Sequence, residues 1–335
     1  MNLKTVDLVP ENSTVIIRLD LDLPVIDGNI VDNHRLLKSL STINKLLTHN
    51  CQLIIIGHMG RPTTAGDEKY SLRGVYLELM SLLSNNYQSL FLENLDDISV
   101  IDLALSQNQI VFVENLRFWP SESEGDMSFL QPLIDQSQAF VNDAIAVAHR
   151  PSASVLLHQY LPAFYGDNFI EEINNLQKIL TSHHPKTLII GGAKADKIDY
   201  LSELANIFDN ICIGGKLPQF PEKLVYAPNV FVSTLTPDTF DIDQNSIDHI
   251  KNIINNSQTI VWSGAMGFFE NPSSKQGTIE IANSLAQSMA SYKVIAGGDT
   301  LSSIKELNLL DKIDFVSSGG GVLLEFLAKG KLPAW

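Results

Sequence analysis

The sequence predicts an α/β protein of two domains, each a parallel sheet with helices on both faces. Three observations carry that reading. The chain has 335 residues, more than one compact core usually holds. Short, continuous apolar runs recur along it, the pattern of strands buried on both faces. Amphipathic, helix-like stretches stand between those runs, and strand–helix alternation is the signature of parallel sheets.

The elements follow in order. Strand-like runs open at STVIIRLD (13–20), QLIIIGHMGR (52–61), QIVFVENLRF (109–118) and AFVNDA (139–144). They continue at TLIIGGAK (187–194), NICIGGK (210–216), TIVWSGAMG (259–267), KVIAGGDT (293–300) and FVSSGGG (315–321). Helix-like stretches fall at 34–48, 71–85, 169–180, 275–289 and 301–308. The runs end in small or charged residues, which places those residues at strand carboxyl ends, where open α/β sheets bind ligands. The composition shift near YLPAFYGDN and TSHHPK divides the chain into a first domain, 1–161, a linker, 162–185, and a second domain from 186.

Bulk properties exclude several classes. The net charge of −15 removes a general nucleic-acid binder, which needs a basic face. No apolar run reaches the ~20 residues of a membrane span, and the N-terminal stretch lacks the apolar core of a signal peptide. Cys51 and Cys212 lie in separate apolar runs, so buried free thiols are expected rather than a disulfide or metal pair. A soluble, cytoplasmic protein is expected.

All six arginines, Arg18, Arg35, Arg61, Arg73, Arg117 and Arg150, precede residue 151. Arg61, Arg117 and Arg150 stand just past strand-like runs and Arg35 opens a helix; four such groups suit a small polyanion, because the guanidinium fork matches carboxylate and phosphate oxygens. Arg18 and Arg73 read as structural. His58 and His149 accompany the group. Asp20 and Asp22, two residues apart on a strand, share a face and could bond substrate hydroxyls or pair with arginines. The second half ends its strands in glycines instead, which lets backbone N–H groups close on phosphates. There Lys194 and Lys197 follow GGA, Asp299 and Thr300 follow Gly297–Gly298 at a helix start, and Gly319–Gly321 precede another. The G-x-x-x-x-G-K-[ST] and G-x-G-x-x-G patterns are absent, as are Ser–His–Asp and zinc-ligand spacings. Phosphoryl transfer across a cleft is the chemistry these halves suggest.

In order along nearly the whole chain, RLDLDLP, DNHRLL, GHMGRP, ENLRF, NDAIAVAHR, GGAKADK, TIVWSGAMGFFE, GGDT and SSGGGVLLEFL resemble the phosphoglycerate kinase family. The resemblance implies two doubly wound, Rossmann-like parallel-sheet domains joined by a hinge helix, with the nucleotide domain at 186–320. Its segment 321–335 would return to the first domain. It implies a monomeric glycolytic kinase moving a phosphoryl group between 1,3-bisphosphoglycerate/ADP and 3-phosphoglycerate/ATP with Mg²⁺. Arg61, Arg117, Arg150 and His58 would hold the 3-phosphate. Asp20, Leu21, Asp22, Met59 and Gly60 would complete the acid site, and Arg35 would meet the transferring group. Lys194 and Lys197 would contact the nucleotide phosphates, Gly298 and Gly321 would offer backbone N–H groups, and Glu270 would reach the ribose. Gly297 and Thr300 would border the nucleotide, and Asp299 would ligate Mg²⁺.

The chain departs from the family's pattern at named places. Asp22 stands where asparagine is usual. GGAKADK spaces its lysines three apart rather than four, which on an α-helix turns one ammonium by about 100°. KLPQFPEKL follows GG where a third glycine and a helix are usual; Asp241–Asp243 change the adenosine pocket, and Ser263 and Ala265 replace asparagine and proline. The second domain is also several dozen residues short. Erosion on the nucleotide side leaves two alternatives: a non-catalytic phosphoglycerate-binding paralogue, and a kinase of altered nucleotide preference.

Overall fold

A computed structural model describes residues 3–26, 29–64, 66–83, 87–95 and 98–335, the side chains of 98–100 excepted. The chain divides into two compact units, Met1–Glu171 with Pro333–Trp335, and Glu172–Leu332.

In the first unit the strands are β1 (Thr14–Arg18), β2 (Val25–Ile26), β3 (Asn29–Ile30), β4 (Gln52–Ile56), β5 (Ser89–Leu92), β6 (Ile110–Val113), β7 (Ala139–Asn142) and β8 (Ala163–Tyr165). Helices α1 (His34–Thr48), α2 (Arg73–Leu82), α3 (Ile98–Gln107), α4 (Pro120–Glu124) and α5 (Gln131–Asp135) are interspersed among them. Six strands form one parallel sheet in the order β5-β6-β4-β1-β7-β8, and β2–β3 is a separate antiparallel hairpin. Alternation feeds two cores. Val15, Ile17, Leu53 and Ile55 join one core with Leu36, Ile43, Val75 and Leu79 of α1 and α2; Ile16, Ile54 and Ile56 join the other with Ile101 and Leu133 of α3 and α5. Chain order reverses about β1, so the loops after β1, β4 and β7 open on the switch point, where such sheets bind ligands.

Helix α6 (Asp167–Thr181) leaves the first unit. The second contains β9 (Lys186–Ile190), α7 (Leu201–Leu204), β10 (Asn210–Ile213), β11 (Val230–Val232), α8 (Gln244–Asn255) and β12 (Thr259–Ser263). It continues through α9 (Gln276–Gln287), β13 (Tyr292–Ala296), α10 (Gly298–Glu306), β14 (Phe315–Ser317) and α11 (Gly320–Lys329). Its sheet is parallel throughout, in the order β11-β10-β9-β12-β13-β14, with the reversal between β9 and β12. Among the described residues no helix is long and apolar enough to cross a membrane, and Cys51 and Cys212 are buried free thiols.

The division runs through α6, between Glu171 and Glu172, and so falls within the segment 162–185 expected as the linker. Of the segment 321–335 only Pro333–Trp335 joins the first unit, because α11 packs on α7 of the second. The tripeptide is held by the Tyr165 hydroxyl donating to Ala334 O at 3.2 Å and by the Trp335 ring edge-on to Phe169 at 5.6 Å.

The start of α6 has a cap that comes from elsewhere in the chain. Gly166 precedes it and has no side chain to offer; a Cβ there would lie 2.2 Å from Asp143 Oδ1. Asp143, just past β7, fills the role. Its Oδ1 accepts from Asn168 N at 3.0 Å and Phe169 N at 3.3 Å, and its Oδ2 from Asn168 Nδ2 at 2.8 Å. Complete burial nonetheless outweighs these donors and pushes the carboxyl up to about 7. The folded state therefore binds this proton more tightly than the unfolded chain does, and the stability so gained is lost as pH rises through about 7. Asp143→Ala should cost the first unit about 1–2 kcal/mol, the usual worth of a helix N-cap. Asp143→Asn should fold and lose the pH dependence between about 4 and 7; thermal melts across that range check both.

Candidate active site

The first unit gathers its charged groups at the carboxyl ends of β1, β4, β6 and β7. Strand β1 stops at Arg18, so Asp20 and Asp22 lie in the loop beyond it and take separate partners. Arg35, on the first turn of α1, donates through Nη1 to Asp20 Oδ1 at 3.0 Å and to Asp22 O at 2.9 Å. Burial raises the Asp20 pKa, and the Arg35 charge opposes it. Asp22 Oδ1 accepts from Gly60 N at 2.8 Å. Gly60 has φ +60°, and the Tyr70 ring lies where its Cβ would be; glycine is required there on both counts. Arg117 Nη1 donates to Gly60 O.

His58 is 3% exposed. Burial, then the charges of Arg18, Arg117, Arg150 and Arg35, hold its pKa well below 6.5, so it is a neutral imidazole at pH 7. Burial and Arg150 likewise lower the Arg117 pKa. Arg61 and Arg150 are exposed, and Arg150 Nε approaches His149 Nε2 at 3.3 Å. Leu21 and Met59 send their side chains into the core, leaving only backbone for a ligand. This surface holds four arginines, Arg35, Arg61, Arg117 and Arg150, around one neutral histidine, an arrangement suited to a multiply charged anion.

Arg18 and Arg73 have structural partners. Arg18 is 1% exposed; its Nε donates to Ser154 Oγ at 2.7 Å, and Ser154 donates from N and Oγ to the buried Glu122 at 2.9 and 2.6 Å. Arg73 pairs with Glu93 and lies over the Phe91 ring at 4.7 Å. A cavity of about 1360 Å³ borders the site at Asp22, Met59 and Gly60 and is walled beyond by Tyr70, Arg73 and Trp119.

In the second unit the glycines divide into two kinds. Gly191, Gly192, Gly215 and Gly264 crowd one another: a Cβ on any of them would meet backbone or Lys197 atoms at 2.2–3.1 Å. They are packing sites at the sheet's reversal. Gly298 has nothing within 4 Å of its Cβ position, and that of Gly297 lies 4.0 Å from Gly320 N. Helices α10 and α11 therefore start beside each other, and neither N-terminus has a side-chain cap. Two such starts present unsatisfied N–H groups and positive dipole ends to one place. Ser263 Oγ, buried and with no hydrogen bond among the described residues, lies against Gly320. Glu172 fixes the approach to α11 by accepting from Ser317 Oγ at 2.5 Å and Ser318 Oγ at 2.7 Å.

The short lysine loop is absorbed by a change of helix type. Ala195–Ile198 forms a 3₁₀ turn, which rotates about 120° per residue, instead of the α turn assumed from sequence. Lys194 precedes it, exposed. Lys197 turns inward, its Nζ donating to Gly191 O at 3.0 Å and Ser263 O at 3.4 Å, where β9 and β12 part. Burial lowers its pKa to about 8 against the supporting charge of Asp299.

Asp299 is exposed on the first turn of α10. Thr300 is buried there, its Oγ1 accepting from Gly264 N at 2.7 Å. Glu270 is exposed. Among the described residues no group of three His, Cys, Asp or Glu side chains could hold a metal unaided. Asp241 is committed to structure, accepting from Gly277 N at 2.9 Å at the start of α9, while Asp243 caps α8 through Ser246 N at 2.8 Å. KLPQFPEKL forms two 3₁₀ turns, because Pro218 and Pro221 deny a helix its donors.

Sequence reasoning passed over Glu114, Asn115, Glu122 and Glu172. Glu114 and Asn115 lie inside ENLRF and Glu122 just beyond it, while Glu172 lies in the helix-like stretch 169–180; only burial distinguishes them.

The family model described as phosphoglycerate kinase matches residues 5–220 and 228–331, interrupted inside the stretch of 3₁₀ turns. A phosphoglycerate kinase of Finegoldia magna is 33% identical over 388 residues, covering 99% of this chain and 98% of its own. One of Aquifex aeolicus is 32% identical over 381 residues, with 98% and 96% covered. Both aligned lengths exceed the 335 residues here, so the chain spans these relatives with segments missing. The solved phosphoglycerate kinase of Coxiella burnetii superposes with a TM-score of 0.80 at 27% identity, covering 99% of this chain and 98% of its own.

Proposed function

We propose that this chain, which belongs to the phosphoglycerate kinase family, acts in glycolysis as a reversible phosphotransferase between 1,3-bisphosphoglycerate/ADP and 3-phosphoglycerate/ATP. The observation favouring a kinase over a binding protein is the pair of uncapped helix starts meeting at Gly297 and Gly320, close to an inward lysine.

Arg61, Arg117, Arg150 and His58 hold the 3-phosphate, with backbone at Leu21, Met59 and Gly60 shaping the rest of the acid's seat beside Asp20 and Asp22. Arg35 reaches the transferring phosphoryl group. Lys194, Lys197 and the N–H groups at Gly297, Gly298 and Gly321 receive the nucleotide phosphates, Glu270 takes the ribose, and Thr300 fixes the start of α10. Catalysis is then positioning plus charge stabilisation, without a covalent protein intermediate. Asp299 suits Mg²⁺, an ion commonly held by one or two carboxylates together with substrate phosphates; when bound it would neutralise phosphate charge.

A coupled assay on purified protein tests the reading. Turnover with Mg-ATP and 3-phosphoglycerate is expected; none with ATP, ADP, GTP or GDP would refute it. Asp22→Asn should keep the Gly60 bond through Oδ1 while removing a negative charge from the acid's seat. The KM for 3-phosphoglycerate should fall about two- to fivefold, roughly 0.4–1 kcal/mol at 1.4 kcal/mol per decade. A tenfold rise would show that the carboxylate itself is needed.

A further inference from the structure

We propose that Asn115 is a positioning residue for the phosphate-binding arginines, acting through the loop that carries His58, Gly60 and Arg61; this rests on the acid site proposed above. Asn115 is fully buried and makes four hydrogen bonds. Its Oδ1 accepts from Met59 N at 3.2 Å and Arg117 N at 3.1 Å, and its Nδ2 donates to Met59 O at 2.8 Å and Tyr70 O at 2.9 Å.

The pattern admits one amide orientation, because a flip would set N–H against N–H and oxygen against oxygen. It also admits one residue type. Aspartate keeps the acceptor and loses both donors, and an aliphatic residue loses all four bonds.

Two of the three segments tied this way carry proposed ligands, His58 and Arg61 beside Met59, and Arg117 itself. Met59 begins the excursion after β4 and Tyr70 ends it, so one side chain closes the loop at both ends. Asn115 also caps the 3₁₀ turn Leu116–Phe118 that presents Arg117. Tyr70, so held, lays its ring on Gly60, and Arg117 returns a bond to Gly60 O. The distance between Arg61 and Arg117, two proposed ligands of one phosphate, is thus set through a single amide. Its neighbour Glu114 ties the next segment by accepting from Ser71 Oγ and Leu72 N, both at 2.6 Å. Misplacing a binding group by ~1 Å can cost about 10²-fold.

The test measures Asn115→Ala by calorimetry and steady-state kinetics beside the unaltered protein. The Kd and KM for 3-phosphoglycerate should rise at least about tenfold, while the Kd for Mg-ATP stays within about twofold. In an Arg117→Ala background the same change should add less than about threefold, because coupled residues are not additive. Asn115→Asp, nearly isosteric, should fold and weaken the acid in the same direction. The proposal is overturned by unchanged acid affinity in a folded variant, by equal weakening of both substrates, or by full additivity with Arg117→Ala. Failure of both variants to fold would also overturn it, since Asn115 would then serve the unit's stability alone. If the unaltered protein does not bind 3-phosphoglycerate, the acid site itself is wrong; normal binding there with a normal variant sinks only the role of Asn115.

Discussion

Arg35→Ala should lower kcat by about 10²- to 10³-fold, the usual loss when one donor to a developing charge is removed, while the KM for 3-phosphoglycerate moves less than about threefold. Among the described residues Arg35 is anchored at one end of its guanidinium only. Its side chain is 44% exposed, and Nη1 alone is engaged, by Asp20 Oδ1 and Asp22 O. Those bonds aim the guanidinium and leave its remaining donors for a group that arrives during reaction. A contact made chiefly in the transition state appears in kcat rather than in ground-state affinity. Arg73 is the control, because its guanidinium is taken up by Glu93 and the Phe91 ring. Arg73→Ala should leave kcat within about twofold, surface pairs being worth ~0–1 kcal/mol. Equal losses from the two variants would show that exposure and partnering do not identify the catalytic arginine.

Lys197→Ala should cost about 10²-fold in kcat/KM for nucleotide at pH 7, and the unaltered protein should lose the same quantity with rising pH. The ammonium is the form that attracts phosphate, and burial has brought its pKa down to about 8. Below that value the free enzyme carries the charge. Above it the proton leaves, and kcat/KM should fall about tenfold per pH unit, since this parameter reports the free enzyme's titrating groups. Lys197→Arg keeps its charge across the range and should abolish the decline, whatever its absolute rate. Lys194→Ala removes a like charge that helps depress Lys197, so the decline should move to higher pH. A flat profile for the unaltered protein between pH 7 and 9.5 would exclude Lys197 as the phosphate-binding cation.

Both sheets were legible because their central strands are continuous apolar runs that stop at charged residues or glycines. The strands missed, β2, β3, β5, β8 and β11, have two to four residues and carry no long apolar run. Among the helices, α1 matched 34–48 because its apolar stripe is unbroken. The arginines were visible for the same reason as the strands: Arg61, Arg117 and Arg150 follow strands whose ends could be read, and Arg35 opens a helix whose start could be.

What the sequence could not separate were residues of one type with opposite uses. Gly191 and Gly298 each follow or sit within a strand–glycine pair, yet one is wedged against backbone and the other faces open space. Asp20 and Asp22 were expected to share a strand face, but the strand ended first. The lysine loop was judged by α-helical rotation, and the chain formed a 3₁₀ turn. In each case tertiary packing chose between local readings of equal cost.

The tripeptide Pro333–Trp335 has a consequence for biosynthesis. It belongs to the first unit, yet it follows the whole of residues 172–332 in the chain. A ribosome therefore delivers β1 through β8 long before Ala334 can accept from Tyr165 or Trp335 can meet Phe169. Amino-terminal domains usually fold while synthesis continues; here the amino-terminal one emerges unfinished. Its last contacts form only after every strand of the second unit has left the exit tunnel.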